Sequence, residues 1–223
     1  MLNSSNQWSK DMAYSVKEIY YTLQGEGLHA GRAAVFCRFS GCNLWSGREH
    51  DRARASCRFC DTDFVGRDGP GGGLFTDARA LAEAIAGTWR RHARGGIPFV
   101  VCTGGEPLLQ MVEALIQALH RFGLEIAVET NGTRKVPSGV DHICVSPKGT
   151  NPLEQRRGDE LKLVYPQEDV SPEAFEELDF RAFFLQPMDG PHRDQNTLKC
   201  VNYCQRHPQW RLSVQVHKLI GIP

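Results

Sequence analysis

Three cysteines stand at a spacing that suits a metal. Cys57 and Cys60 form a CxxC pair, and Cys42 precedes Cys57 with fourteen residues between them. A CxxC turn aims two thiolates at one centre, and a third thiolate on the same loop makes three protein ligands. No fourth cysteine follows at ligand spacing, because Cys102, Cys144, Cys200 and Cys204 fall in other segments. A structural zinc site closes with four protein ligands, whereas a cluster or catalytic metal held by three keeps one position open. His50 lies between the outer cysteines and would complete a Cys3His zinc site. Taken alone, the cysteines suit zinc and iron–sulfur equally. Cys37, on an apolar alternating run, reads as a small buried hydrophobe.

The elements that must position this loop are legible as an alternation. Strand-like runs cover Val16–Thr22, Ala33–Phe39, Ile97–Cys102, Leu124–Glu129, His142–Val145, Glu160–Tyr165, Ala182–Gln186 and Trp210–Lys218, each short, apolar and bounded by Gly, Pro or polar clusters. Three helices are predicted between them. The first is capped at Thr76 or Asp77 and carries Leu81, Ile85 and Trp89 on one face. The second aligns Leu109, Val112, Ile116 and Leu119 and stops at Gly123. The third is capped by Asp194, with Leu198 and Val201 inward and Pro208 beyond its end. Such alternation predicts an α/β fold with a mostly parallel sheet, open or partly barrel-like, since a closed eight-unit barrel takes about 250 residues.

Polar and glycine-rich residues gather at the C-terminal ends of four predicted strands: Thr103-Gly104-Gly105-Glu106-Pro107, Glu129-Thr130-Asn131-Gly132, Ser146-Pro147-Lys148 and Gln186-Pro187-Met188-Asp189. Open α/β sheets bind ligands at that edge. Any one of these motifs alone reads as a turn.

The 223 residues carry 26 Lys+Arg against 26 Asp+Glu, with 41% hydrophobic and 23% charged residues. Balanced charge gives no electrostatic reason for a nucleic-acid or membrane partner. The longest apolar runs are strand-sized, and the polar start MLNSSNQWSKD has no signal-peptide core. A cytoplasmic location is therefore expected, where cysteines serve metals or catalysis more often than disulfides. Met12 stands just before the first patterned segment, so residues 1–11 read as a disordered or non-native extension and 12–223 as one domain. The tract Gly66–Gly73 reads as a flexible loop.

With these motifs assembled, the chain from about Tyr14 onward resembles the radical S-adenosylmethionine (SAM) superfamily. More narrowly it resembles the 7-carboxy-7-deazaguanine synthase family. The match is carried by Leu23-Gln24-Gly25-Glu26-Gly27, Arg38, Cys60-Asp61-Thr62, TGGEP, ETNG, SPK and the segment His217–Pro223. One departure is the cysteine spacing: the superfamily pattern is CxxxCxxC, and here the first gap is fourteen and includes Arg48, Arg52 and Arg54.

The resemblance implies a partial (β/α)6-type barrel with extra N- and C-terminal strands. Cys42, Cys57 and Cys60 would ligate one 4Fe–4S cluster per chain, with SAM on the open iron. Reductive cleavage of SAM would give an adenosyl radical that takes hydrogen from C6 of 6-carboxy-5,6,7,8-tetrahydropterin. Ring contraction with loss of ammonia would follow, and SAM would be regenerated. SAM contacts are expected from Phe59, Cys60, Asp61, Gly105, Glu129, Asn131, Ser146, Pro147, Lys148, Gln186, Pro187, Met188 and Asp189. The pterin is expected at Leu23, Gln24, Gly25, Glu26, Arg38, Thr103, His217 and Pro223, and magnesium at the hydroxyl of Thr62. The five residues after Lys218 are expected to follow a strand and bring Pro223 to the pocket. An electron donor such as flavodoxin and a homodimer are further implications. Two other readings fit parts of the pattern: a small radical SAM activase of a glycyl-radical enzyme, and a zinc-stabilised binding module.

Overall fold

A computed structural model describes residues 12–223, and the expectation for residues 1–11 lies outside the described residues. In chain order the elements are β1 (Tyr14–Leu23), β2 (Ala33–Phe39), β3 (Gly73–Phe75), α1 (Ala78–His92), β4 (Phe99–Gly104), α2 (Glu113–Arg121), β5 (Glu125–Thr130), β6 (His142–Val145), β7 (Arg157–Tyr165), β8 (Asp179–Pro187), α3 (Arg193–Arg206), β9 (Trp210–Leu212) and α4 (Val216–Ile220). They build one unclosed sheet in the order β3-β1-β2-β4-β5-β6-β7-β8-β9. β1 runs antiparallel to both β2 and β3, and from β2 onward all neighbours are parallel. This is the expected α/β partial barrel with added strands at each end. The helical layer is thinner than six full units: β5–β6 and β6–β7 connect without an α-helix, and β7–β8 carries only a 3-10 turn at Pro172–Phe175.

The central strands are buried on both faces and so are continuous apolar runs. One core packs α1 and α2 on β1, β2, β4 and β5, with Leu81, Ile85, Leu115, Leu119 and Ile126 fully buried. A second core centres on Leu161, Leu163, Leu185, Cys200 and Trp210 under α3. Asp77 caps α1 as expected, its carboxylate accepting from the Ala80 N–H at 2.8 Å. Cys37, Cys102, Cys144 and Cys200 are buried, in keeping with their reading as small hydrophobes.

Several local expectations are corrected. The strand expected over Trp210–Lys218 is only Trp210–Leu212; the Val216 N–H donates to Gly25 O at 3.1 Å and the chain turns into α4, which Gly221 closes at φ +70°. α3 starts after His192 rather than Asp194. Its inward face is Asn196 and Cys200, one turn apart, so Leu198 points out at 64% exposure. α2 starts after Val112, because Pro107–Leu109 forms a separate 3-10 turn and the Gln110 amide is drawn to Ser15 O and Ser40 O at 3.1 and 2.9 Å. Ile97 is exposed, and β4 begins at Phe99. Gly66–Gly73 is not a free loop. Gly69 donates to Lys17 O and Ile19 to Pro70 O, and a side chain at Gly72 would lie 2.1 Å from Lys17 O, so lack of Cβ lets the tract strap onto β1.

Candidate active site

Register decides which loops meet. Arg38 pairs with Thr103 and Phe39 with Gly104, so the cysteine loop leaving β2 starts beside the GGEP turn leaving β4. A side chain at Gly105 would lie 2.1 Å from Gly41 O and 2.9 Å from Cys42 Cβ. Only glycine permits that approach. Glu129 pairs with Cys144 and Cys144 with Glu160, which aligns the ends of β5, β6 and β7. The aligned edge surrounds a cavity of about 440 Å³.

On one side stands the cysteine loop. Cys57 hydrogen-bonds to Cys60, which lowers the Cys60 thiol to about 6 and raises Cys57 far above its ordinary range. Burial pushes Cys42 up, against the backbone N–H of Leu44 that donates to its sulfur at 3.4 Å. The long gap folds back on the CxxC turn. It contains a 3-10 helix, Glu49–Arg54, and the Arg52 guanidinium lies 4.1 Å over Trp45, pairs with Glu49, and donates to the carbonyls of Arg58 at 2.9 Å and Cys60 at 3.0 Å. His50 faces solvent beside Asp51, its side chain 71% exposed. Among the described residues, the only three or more His, Cys, Asp or Glu ligand atoms within 4.8 Å of one another are those of Glu129, Cys144 and Glu160. Cys42, Cys57 and Cys60 do not all stand within 4.8 Å of one another.

The second wall comes from β4, β5 and β6. Glu106 is fully buried and accepts from Thr130 Oγ1 at 2.7 Å, Asn131 N at 2.8 Å and Leu108 N at 3.0 Å. Burial raises its carboxyl, only partly offset by these donors. Asn131 Nδ2 donates to Asn43 Oδ1 at 2.9 Å, and Asn43 donates to Thr133 Oγ1, so the β5 loop also holds the cysteine loop. Lys148 donates to Ser146 Oγ at 2.6 Å and lies 5.7 Å over the Phe59 ring.

The third wall is Leu23–Glu26 with the C-terminal segment. A Cβ at Gly25 would fall 2.2 Å from His217 Nδ1, so the His217 ring sits directly against that backbone. Burial lowers the His217 pKa, partly countered by Glu26. Thr22 Oγ1 donates to Pro223 O at 2.8 Å, which holds Pro223 at the cavity. Arg38 faces the cavity with Phe36, and its guanidinium donates to Glu18 at 2.7 Å and to Tyr20 Oη at 3.0 Å.

Of the residues singled out by sequence, the cavity wall includes Leu23, Gln24, Gly25, Glu26, Arg38, Cys57, Phe59, Cys60, Asp61, Thr62, Thr103, Gly105, Glu129, Asn131, Ser146, Lys148, Asp189, His217 and Pro223. Cys42 lies behind Gly105. Pro147, Gln186, Pro187 and Met188 stand outside the wall: Pro147 O accepts from Gln167, Gln186 from Ser213 Oγ, and Met188 O from Asn196. Sequence reasoning missed Glu18, Tyr20, Lys162, Gln215 and Lys218, which also line the cavity. Lys162 follows Glu160 by two on β7 and so lies on the same face, a strand-period signal available in the sequence. Lys218 Nζ lies 2.6 Å from both Asp61 and Asp189, and no local pattern announces that clasp.

A three-cysteine loop at the C-terminal edge of an open, mostly parallel sheet, beside a polar cavity, is the arrangement of an enzyme of the radical SAM class. The chain is 65% identical to a 7-carboxy-7-deazaguanine synthase of Bordetella pertussis over 95% of its own length and 100% of the relative's. It is 59% identical to the Burkholderia multivorans protein of that name, with the same coverage. Among solved structures it is similar to QueE from Escherichia coli, with a TM-score of 0.70 and 26% identity over 92% of this chain and 95% of that one. No protein-family profile matches the chain. The chain belongs to the 7-carboxy-7-deazaguanine synthase family. The activase and zinc-module readings give way to this membership.

Proposed function

We propose that this chain converts 6-carboxy-5,6,7,8-tetrahydropterin to 7-carboxy-7-deazaguanine with loss of ammonia, as a radical SAM carbon–nitrogen lyase of 7-deazapurine (queuosine) biosynthesis. The observation that carries the reading is a single cavity bordered by the cysteine loop, the GGEP and ETNG turns, and the Leu23–Glu26 and His217–Pro223 segments. Cys42, Cys57 and Cys60 hold the 4Fe–4S cluster. When bound, the cluster and SAM supply the one-electron chemistry that opens the rearrangement.

The protein's part is orientation and exclusion of water. The Gly105 N–H is taken by Phe39 O at 3.2 Å, so this turn meets an amino group through carbonyl oxygen. Asn131, Ser146 and Lys148 offer polar groups along the cofactor side, with Phe59 and Asp61 at its cysteine end. Glu129 faces the same space, Asp189 closes it, and Pro147 and Gln186–Met188 support it from behind. On the substrate side Gln24 and the Leu23–Gly25 backbone meet the heterocycle edge and Glu26 accepts from its guanidine-like nitrogens. Arg38 meets the carboxylate, with Thr103, His217 and Pro223 around it. Thr62 would offer a hydroxyl to magnesium, a hard cation that favours oxygen ligands.

One continuous sheet supports reading 12–223 as a single radical SAM domain. A cytoplasmic setting, a flavodoxin-type electron donor and a homodimer complete the proposal; no helix among the described residues is long and apolar enough to cross a membrane. The test is anaerobic reconstitution followed by incubation with reductant, SAM, magnesium and the carboxypterin. Formation of 7-carboxy-7-deazaguanine with ammonia supports the reading. SAM cleavage without that product overturns the substrate assignment.

A further inference from the structure

Lys162 lies on β7 with its side chain 4% exposed. Its Nζ stands 2.6 Å from Glu26 Oε2 and 2.9 Å from Glu129 Oε2. Those carboxylates come from different elements: Glu26 from the segment after β1, Glu129 from β5. Gln24 Nε2 donates to the other Glu129 oxygen at 3.2 Å, closing a network among that segment, β5 and β7. Two carboxylates touching one buried ammonium carry one more negative charge than they are given, and removing the cation would leave like charges facing each other in low dielectric.

We propose that Lys162 is a positioning residue: its single buried charge sets both the place and the ionised state of Glu26 at the substrate end and ties it to Glu129 at the SAM end. The inference rests on the substrate reading given for Glu26. Burial alone would raise the Glu26 carboxyl, and the adjacent ammonium outweighs that and lowers it. The groups facing this network are Glu26 and Glu129, Tyr20 on β1, Cys144 on β6, Glu160 on β7, and Gln215 and His217 beside Glu26 from the C-terminal segment. None replaces the ammonium. Cys144 is held neutral by burial, and Glu160 is already engaged, accepting from His142 Nε2 and Leu28 N, each at 2.9 Å.

The test is binding of the carboxypterin to unreduced holoenzyme by anaerobic equilibrium dialysis between pH 6 and 8.5, which needs no turnover. Lys162→Met, Glu26→Gln and the double variant are compared, with iron content and thermal melting as controls. In Lys162→Met, Glu26 takes up a proton as pH falls, so Kd rises about tenfold or more at neutral pH. Binding then recovers as pH rises, a slope wild type lacks. The double variant is no weaker than Glu26→Gln by more than about twofold, because the lysine acts through the glutamate. A folded Lys162→Met with wild-type Kd at every pH, or effects that multiply in the double variant, overturns the inference. Should Lys162→Met not fold, Lys162→Gln carries the same test. If wild type itself neither binds nor converts the pterin, the substrate reading fails instead.

Discussion

Lys218 Nζ lies 2.6 Å from Asp61 Oδ2, fastening α4 to the residue that follows the last cysteine of the cysteine loop. Asp189 shares the same ammonium, so one cation joins the cysteine loop, the end of β8 and the C-terminal helix over the cavity. Lys218→Met should loosen this lid while leaving the fold intact. Partly exposed pairs contribute at most about 1 kcal/mol each, so KM for the pterin should rise by roughly three- to tenfold, with kcat changed less, and wild type should lose part of its advantage in high salt. For Asp61, burial raises the carboxyl but the Lys218 hydrogen bond and charge outweigh it, and Asp189 is likewise lowered. Burial lowers the Lys218 amine, and the two aspartates more than restore it. The clasp is thus complete above the unfolded carboxylate range and below the unfolded amine range. It weakens as pH falls through the lowered aspartate values or rises through the raised lysine value. A KM that ignores both salt and Lys218→Met would remove this role.

Cys57→Ala should leave a folded protein that cannot hold a complete cluster. Iron and sulfide analysis after anaerobic reconstitution should show cluster content reduced relative to wild type, and incubation with reductant, SAM and the carboxypterin should give no 7-carboxy-7-deazaguanine. Retained product formation would overturn the ligand assignment.

Glu106 reads out through stability. It accepts from three donors at full burial, and Glu106→Ala leaves Leu108 N, Asn131 N and Thr130 Oγ1 without that partner. Each unmet buried donor costs about 1–3 kcal/mol, about 3–9 kcal/mol for the three, so Tm should fall by at least about 6 °C for a chain of this size. Because burial raises the folded carboxyl above its unfolded value, this group's own contribution is most favourable at low pH and declines as pH rises through the folded value. Calorimetry of wild type and variant between pH 5 and 8 checks both statements.

Gly25→Ala places a methyl against the His217 ring, where a Cβ has only 2.2 Å. The backbone there is not in the left-handed region, so the clash is steric and the C-terminal segment must shift by overpacking, at about 1–3 kcal/mol. Pterin binding should weaken about tenfold while cluster content stays at the wild-type level. Unchanged pterin affinity would mean that His217 moves away freely.

Thr62→Ala should reduce the stimulation of turnover by magnesium without changing iron content. An unchanged magnesium titration would take Thr62 out of the metal site.

Much of this arrangement is written locally. The CxxC turn, the upstream Cys42, the glycines of TGGEP and the apolar runs of β2, β4, β5 and β6 are short-range patterns, and short-range sterics and periodicity largely determine what such segments become. The failures are local too where tertiary contacts outvote pattern: Val214 and Val216 alternate like a strand, yet Val216 N bonds to Gly25 O and the chain turns into α4. Leu198 looks like a core residue until Asn196 and Cys200 claim the inner face.

By itself, then, the amino-acid order determined the cysteine pattern, the kind of fold and the edge of the sheet where the polar motifs gather, because each follows from residue type and nearby spacing. The tertiary structure alone decided the pairings: Lys162 with Glu26 and Glu129, Lys218 with Asp61 and Asp189, Thr22 with Pro223, Arg52 with the carbonyls of the cysteine loop. A charge or hydroxyl has no periodicity that names its partner. Most of these partners are separated by tens to hundreds of residues and meet only once strand register and burial have brought their atoms within hydrogen-bond reach.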